Sequence, residues 1–215
     1  VWNKVVSPSS LVANKLTIYT GKELGMLAYY PMTEGKGDKV TDKAQGATAW
    51  IYGAEWSTLD GLSVAFKGDT ILTVNSSRIP LTDEQDYTLE FWFKAFTGQK
   101  DAALVSNGKG LGEENNTSYN KVFVGFAGGK LVFRNNDHEE EVAGHWADGN
   151  WHHFAVSVNR NAGNAQIFMD GVLNTYFDAG KLGGFSATEL NLGARRWTEA
   201  AQMVDHTDMY LKGQV

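Results

Sequence analysis

Apolar and polar residues alternate with a period of two along most of this chain. From His152 to Val158 (HHFAVSV), Phe154, Val156 and Val158 fall on one side and His153, Ala155 and Ser157 on the other, the mark of a strand with one face in a core. Asn159–Asn164 (NRNAGN) is dense in turn formers, and Gly163 supplies the positive φ such a loop needs. Ala165–Asp170 resumes the alternation, Asp170-Gly171 reads as a two-residue hairpin turn, and Val172–Phe177 follows it. Three antiparallel strands in a row make a meander, so the whole chain is expected to be an antiparallel β protein.

The same pattern predicts strands at Leu27–Thr33, Thr48–Tyr52, Leu62–Phe66, Thr70–Val74 and Tyr87–Lys94. It continues through Ala102–Asn107, Lys121–Phe126, Lys130–Asn135 and Glu139–Ala143, with two late strands near Glu189–Gly193 and Met209–Lys212. Short strands at close intervals, separated by turn signals, imply a sandwich. At the start, Val1–Val6 reads as a strand end, and Ser7 with Pro8 reads as the N-cap and first position of a short helix to Lys15. Two connections are too long for plain turns: Asn107–Asn120 and Ala194–Asp208. Long loops in compact domains are usually functional or disordered, which makes these two the places to look for a ligand.

A family resemblance rests on these same segments. Trp151–Val156, a glycine turn and Phe168–Gly171 resemble the best-marked segment of the laminin-G-like jelly roll, in the concanavalin A-like lectin and glucanase superfamily. Met26–Gly35, Leu62–Phe66 with Gly68-Asp69, Tyr87–Lys94 (YTLEFWFK) and Glu189–Gly193 (ELNLG) resemble its other strands, in the family's order. The resemblance implies an all-β antiparallel sandwich, a concanavalin A-like jelly roll, over residues 25–215. Residues 1–24 resemble the terminal strand, short helix and linker at the end of a preceding repeat. It therefore implies a parent protein with tandem copies, so that a neighbouring laminin-G-like repeat joins the expected partners. Val1–Val6 then either fills a sheet position beside the main domain or belongs to a permuted domain that always had it.

Composition narrows the function classes. The formal net charge is −6 with no basic run, which argues against nucleic acid, since phosphate neutralisation needs clustered Lys and Arg. There is no Cys, so disulfides and thiolate metal sites are out. No apolar run approaches the roughly 20 residues that span a bilayer, so no membrane insertion is expected.

Candidate chemistry is sparse. Glycoside hydrolysis needs two carboxylates facing one cleft. Glu139-Glu140-Glu141 reads instead as a solvated edge strand, and Glu90, on the strand face of Thr88, Trp92 and Lys94, has no second carboxylate two residues away. No nucleophile elbow, zinc helix or phosphate loop occurs. No catalytic residue is assigned. For Ca2+, which takes about six to eight oxygens and is bound by several relatives of this fold, Asp205 and Asp208 in the late loop are the candidates, with Asp69 a further one; Asp148 and Asp170 read as turn residues.

For a sugar or carboxylate ligand, the candidates are Trp197 beside Arg195 and Arg196, and Tyr119 near Asn116. Aromatic faces stack on pyranose rings and Arg grips carboxylates in a bidentate fork. The competing reading makes Trp197 a plug over the sandwich edge. The expectation is a non-catalytic binding or adhesion module, extracellular, at the cell surface or periplasmic, recognising a glycan or an extracellular protein through its rim loops. A glycan-cleaving enzyme and a structural spacer are the alternatives.

Overall fold

The alternating segments become strands in a computed structural model of the chain, which describes residues 1–7, 9–11, 18–59, 61–75, 79, 85–107, 110–112, 122–183, 189–199 and 204–215. In order they are β1 (Lys39–Thr41), β2 (Thr48–Tyr52), β3 (Glu55–Ser57), β4 (Ser63–Lys67), β5 (Ile71–Asn75) and β6 (Tyr87–Ala95). Next come β7 (Ala102–Asn107), β8 (Gly110–Gly112), β9 (Val122–Ala127), β10 (Lys130–Asn135), β11 (His138–Glu141) and β12 (Trp151–Asn159). The last are β13 (Asn164–Met169), β14 (Val172–Asp178), β15 (Glu189–Leu192), β16 (Arg195–Glu199), β17 (Val204–Asp208) and β18 (Lys212–Gln214).

Two antiparallel sheets carry the core. One has eight strands in the order β1-β2-β5-β15-β7-β9-β10-β11, the other seven in the order β14-β13-β12-β6-β18-β4-β3. Strand alternation decides what each face buries. Odd residues of β6 (Tyr87, Leu89, Phe93) and even residues of β12 (Phe154, Val156, Val158) join one core with Leu72, Val74, Val124, Phe126 and Phe133 of the opposing sheet. The β12–β13–β14 meander forms with the expected turn: Asp170 has φ 52° and Gly171 φ 80°, the pair of left-handed residues a type I′ turn requires. β11 is the edge of the larger sheet, and its glutamates alternate outward, with Lys130 Nζ 2.7 Å from Glu141.

The outward faces are not bare. Trp2, Val6 and Leu11 pack with Ala155 and Phe168 over the outside of the β6–β12–β13 region, joined by Tyr19 and Met26. Ser7 starts the helical turn at residues 9–11, accepting from the N–H of Leu11 through its carbonyl and from that of Ser10 through its hydroxyl; Pro8 and residues 12–17 lie outside the described residues. On the far side of the molecule, Met209 packs on Ala103, Phe123 and Val132.

Three expectations change. Leu27–Thr33 forms no strand: only Met26 bridges, to Trp2, because Pro31 offers no N–H and Met32 takes φ 53°, which breaks a ladder. Ala194–Asp208 is not an open loop: its two flanks are the antiparallel pair β16–β17, with β8 added in parallel. Trp151, expected from its match to the family's strand to be a core residue, is instead half-buried on the outward face of β12 and lies outside the core cluster. Among the described residues, no helix is long and apolar enough to cross a membrane.

Candidate functional site

The late hairpin brings five of the expected site residues together. Arg195, fully buried, donates from Nε to Asp208 Oδ1 at 2.7 Å and from Nη2 to Asp208 Oδ2. Trp197 is buried with one face stacked on His206, ring centroids 4.4 Å apart, and the Arg195 guanidinium 5.6 Å from its ring centroid. Arg196 pairs with Glu189 at 3.0 Å, and Asp205 is exposed opposite Thr198. Both oxygens of Asp208 thus face a guanidinium rather than converging with Asp205 on a cation. No group of three or more His, Cys, Asp or Glu side chains gathers for a metal among the described residues. Asn116 and Tyr119 lie outside the described residues.

A different place in the fold gathers aromatic and polar groups. β6 is flanked on one side by β12 along its whole length. On its other side β18 pairs only with Lys94 and Ala95, and Trp2 only with Thr88. Between Thr88 and Lys94 the ladder on this edge is interrupted. Beside the interruption lies a cavity of about 460 Å³. Its inner wall is the opposing sheet (Val74, Val105, Leu190, Leu192) together with Leu89 and Phe91. Its outer part is aromatic: Trp2, Tyr19, Tyr29, Trp92 and Trp151.

One acid and one imidazole sit in this aromatic wall, and register explains why. Glu90 and His153 both point to the outward face, from β6 and β12, and are two residues out of direct opposition, a diagonal pair on one face: His153 faces Trp92, and Ala155 faces Glu90. His153 Nε2 lies 3.4 Å from Glu90 Oε2, with their side chains 3% and 9% exposed. Glu90 Oε1 accepts from the indole N–H of Trp2 at 2.8 Å and the Tyr19 hydroxyl at 3.4 Å. Burial works to raise the Glu90 pKa, but the His153 imidazole and the Trp2 N–H outweigh it and hold the carboxyl below its ordinary value. Burial and the same carboxylate push the Tyr19 hydroxyl well above the usual phenol range.

Two further polar atoms, His153 Nδ1 and Trp151 Nε1, are buried with no hydrogen-bond partner, and both residues line the cavity. Buried polar groups are ordinarily satisfied, so these two mark a place where a partner group fits. By contrast, His152 on the core-facing side is fully engaged, Nδ1 at 2.9 Å from Asp170 and Nε2 at 3.1 Å from Asp148. Asp148 itself is drawn down to about 2 by the Asn150 side-chain and backbone N–H groups.

Chemically, the cavity carries one carboxylate, aromatic faces and unfilled hydrogen-bonding capacity, and no Lys or Arg side chain lines it among the described residues. Of these residues, the sequence drew notice only to Glu90, weighed there as half of a carboxylate pair and set aside for want of a second acid. Its partner His153 is legible only once the β6–β12 register is known.

Known proteins share this architecture. The binding domain of Paraclostridial Mosquitocidal Protein 1 superposes with a TM-score of 0.58 at 14% identity, covering 84% of this chain and 48% of that one. The botulinum neurotoxin serotype G binding domain gives 0.58 at 13%, with 87% and 46% covered. The botulinum neurotoxin serotype D ligand-binding domain, solved in complex with N-acetylneuraminic acid, gives 0.59 at 11%, with 85% and 44% covered. The chain thus spans about half the length of these structures, and at such identities the likeness is one of fold. No curated protein sequence matches the chain. A family model described as the concanavalin A-like lectin/glucanases superfamily matches residues 66–210. That match covers most of both sheets, and the chain belongs to the laminin-G-like family of the concanavalin A-like superfamily.

Proposed function

We propose that this chain is a non-catalytic binding module of an extracellular or cell-surface protein, and that it engages its partner, a glycan or a protein segment, at the cavity beside β6. The observation that carries the reading is a cavity of about 460 Å³ with aromatic walls and two buried, unsatisfied polar atoms at one spot. Its volume falls within the roughly 300–1,000 Å³ typical of ligand sites. Two of the similar structures are binding domains by name, and a third was solved with N-acetylneuraminic acid bound, which supports a recognition role here. Glu90 is the one carboxylate lining the cavity among the described residues, whereas glycoside hydrolysis works with a pair; this favours binding over cleavage. A neighbouring copy of the domain in the parent protein adds avidity without new contacts.

The test is a binding screen of glycans and extracellular proteins, run with and without calcium, on the chain and on Trp92→Ala. Trp92 is 38% exposed, so its removal costs little stability. Losing its ring from the cavity wall weakens binding by about tenfold or more, as loss of an aromatic anchor does. A ligand whose affinity is unchanged in Trp92→Ala places the site elsewhere, and a screen blank in every arm ends the reading.

A further inference from the structure

The outward face of the larger sheet carries exposed rings on β2. Ala49, Ile51, Leu72 and Val74 point into the core, so Trp50 and Tyr52 of β2, and Ile71 and Thr73 of β5, point out. Trp50 is 41% exposed and Tyr52 58%, and two residues along a strand sets the rings about 7 Å apart. Tyr52 stands opposite Ile71, which makes the apolar surface continuous rather than scattered.

Register lines up one row across this face: Lys39 opposite Trp50, Trp50 opposite Thr73, and Thr73 opposite Asn191. From the β1 side, Lys39 lays its ammonium over the indole, 4.5 Å from the ring centroid. The other indole face turns toward β5, above Thr73. Past Thr73 the surface rises into a wall. Asn191 is fully buried there, and beside it Glu189 is paired at 3.0 Å with Arg196 of β16. Only β5 separates β2 from β15. Ring and ion pair thus bound a trough whose sides are two strand spacings apart, about 10 Å, with Thr73 in its floor.

A chain of hydrogen bonds sets the polarity of this trough. Thr73 donates its hydroxyl proton to Asn191 Oδ1 at 2.9 Å, and Asn191 Nδ2 donates to Glu189 Oε1 at 3.3 Å. Thr73 therefore offers lone pairs, as an acceptor, to a group lying over it. Arg196 donates from Nη1 to Glu189 Oε2; a guanidinium has five N–H groups, and this contact uses one. Arg196 is partly exposed, so a ligand can reach the others. Glu189 and Arg196 neutralise each other, and Lys39 lies behind the indole. An ion in the trough meets no uncompensated charge on the wall, whereas a neutral polyol finds both a donor and an acceptor.

We propose that this trough is a second binding site, for a neutral hexopyranose unit of a glycan. The sugar ring stacks on the β5-side face of Trp50, one hydroxyl donates to Thr73 Oγ1, and a neighbouring hydroxyl accepts from Arg196. Tyr52 extends the stacking surface to the next sugar. The site lies on the outward face of the larger sheet, away from Glu90 and Trp92 of the smaller one, and stands whether or not the cavity beside β6 holds a ligand.

The test titrates the full chain with methyl glucoside, methyl galactoside and methyl mannoside, and with methyl glucuronide and methyl galacturonide, following indole N–H and backbone amide shifts. At least one neutral glycoside is expected to shift the Trp50 indole and the Thr73 amide, a readout that needs no variant, and to bind more tightly than the uronides. Trp50→Ala should weaken that binding about tenfold or more, and Trp50→Phe, which keeps a ring, should restore most of it. Thr73→Val keeps the strand shape but leaves a sugar hydroxyl unpaired, for a loss of about tenfold. Tyr176→Ala, an exposed ring on the other sheet, should change nothing. Uronides binding as tightly as neutral sugars, shifts that spare Trp50, or no binding by any glycoside overturns the site. Sugar binding that Trp92→Ala abolishes and Trp50→Ala leaves intact also overturns it, and leaves the cavity as the place of recognition.

Discussion

Glu90 shows how one outward-facing residue of a strand comes to tie several segments together. Residue 90 is placed by β6 alternation, yet it is kept from water by groups far away in the chain: Trp2, Tyr19 and His153. A carboxylate so enclosed costs stability unless its partners are good, and the depressed pKa says that they are. The sign for pH follows. A carboxyl with a folded pKa below its free value of 4.5 contributes stability that is fully present above that value and is lost as pH falls through the lower folded value. Thermal unfolding followed from pH 7 downward should therefore show the wild-type midpoint falling below about pH 4.5. Glu90→Gln should be less stable than wild type at pH 7 and flatter through the acid range. Parallel pH profiles for the two proteins would mean that Glu90 is not the titrating group.

At the scale of elements, the late hairpin is held by polar pairing where the rest of the sandwich relies on apolar burial. Arg195 is a buried cation whose fork meets Asp208 across the β16–β17 ladder. Removing one member of such a pair strands a charge. Arg195→Met should cost about 3–5 kcal/mol, while Arg195→Met with Asp208→Leu should recover most of it. Denaturant unfolding of both singles and the double measures the coupling, and additive losses would show that the pair contributes little. The hairpin also marks where the sequence stops being legible. β6 and β12 announce themselves because large apolar side chains recur at every second residue, Tyr87, Leu89, Phe91 and Phe93 in one and Phe154, Val156 and Val158 in the other. Arg195–Glu199 (RRWTE) offers Trp197 as its single apolar side chain, so nothing in the pattern separates it from a loop. β1 and β3, of three residues each, are too short to show a period. Leu27–Thr33 misleads in the other direction: its residues are apolar because Ala28 and Met32 pack into the core, while Pro31 and the turned Met32 backbone keep them out of any ladder. The cavity was illegible for a further reason. Its residues come from positions 2, 19, 26, 28–32, 89–92, 151 and 153, among others, and a site assembled from such distant stretches leaves no mark on local composition.

For the whole molecule, the first residues act as a latch between the outer face of one sheet and the cavity. Trp2 is 4% exposed. It bridges Thr88 on one side and Met26 on the other, donates its indole N–H to Glu90, and covers Ala155 and Phe168. Those contacts couple three things that sequence distance separates: the opening segment, the central pair β6–β12, and the chain leading across the cavity at Tyr29 and Tyr30. Trp2→Ala removes a large buried ring and leaves Glu90 short of a donor, so a loss of about 3–5 kcal/mol is expected. The distribution of that loss is the sharper test. If the opening segment is a latch, hydrogen exchange should quicken most at the Thr88 amide, which donates to Trp2. Val156, at the centre of the β12 ladder and buried in the core, should speed up only as far as global stability falls. Equal acceleration at both amides would instead make Trp2 an ordinary member of one cooperative core, with no separate motion to open or close the site beneath it.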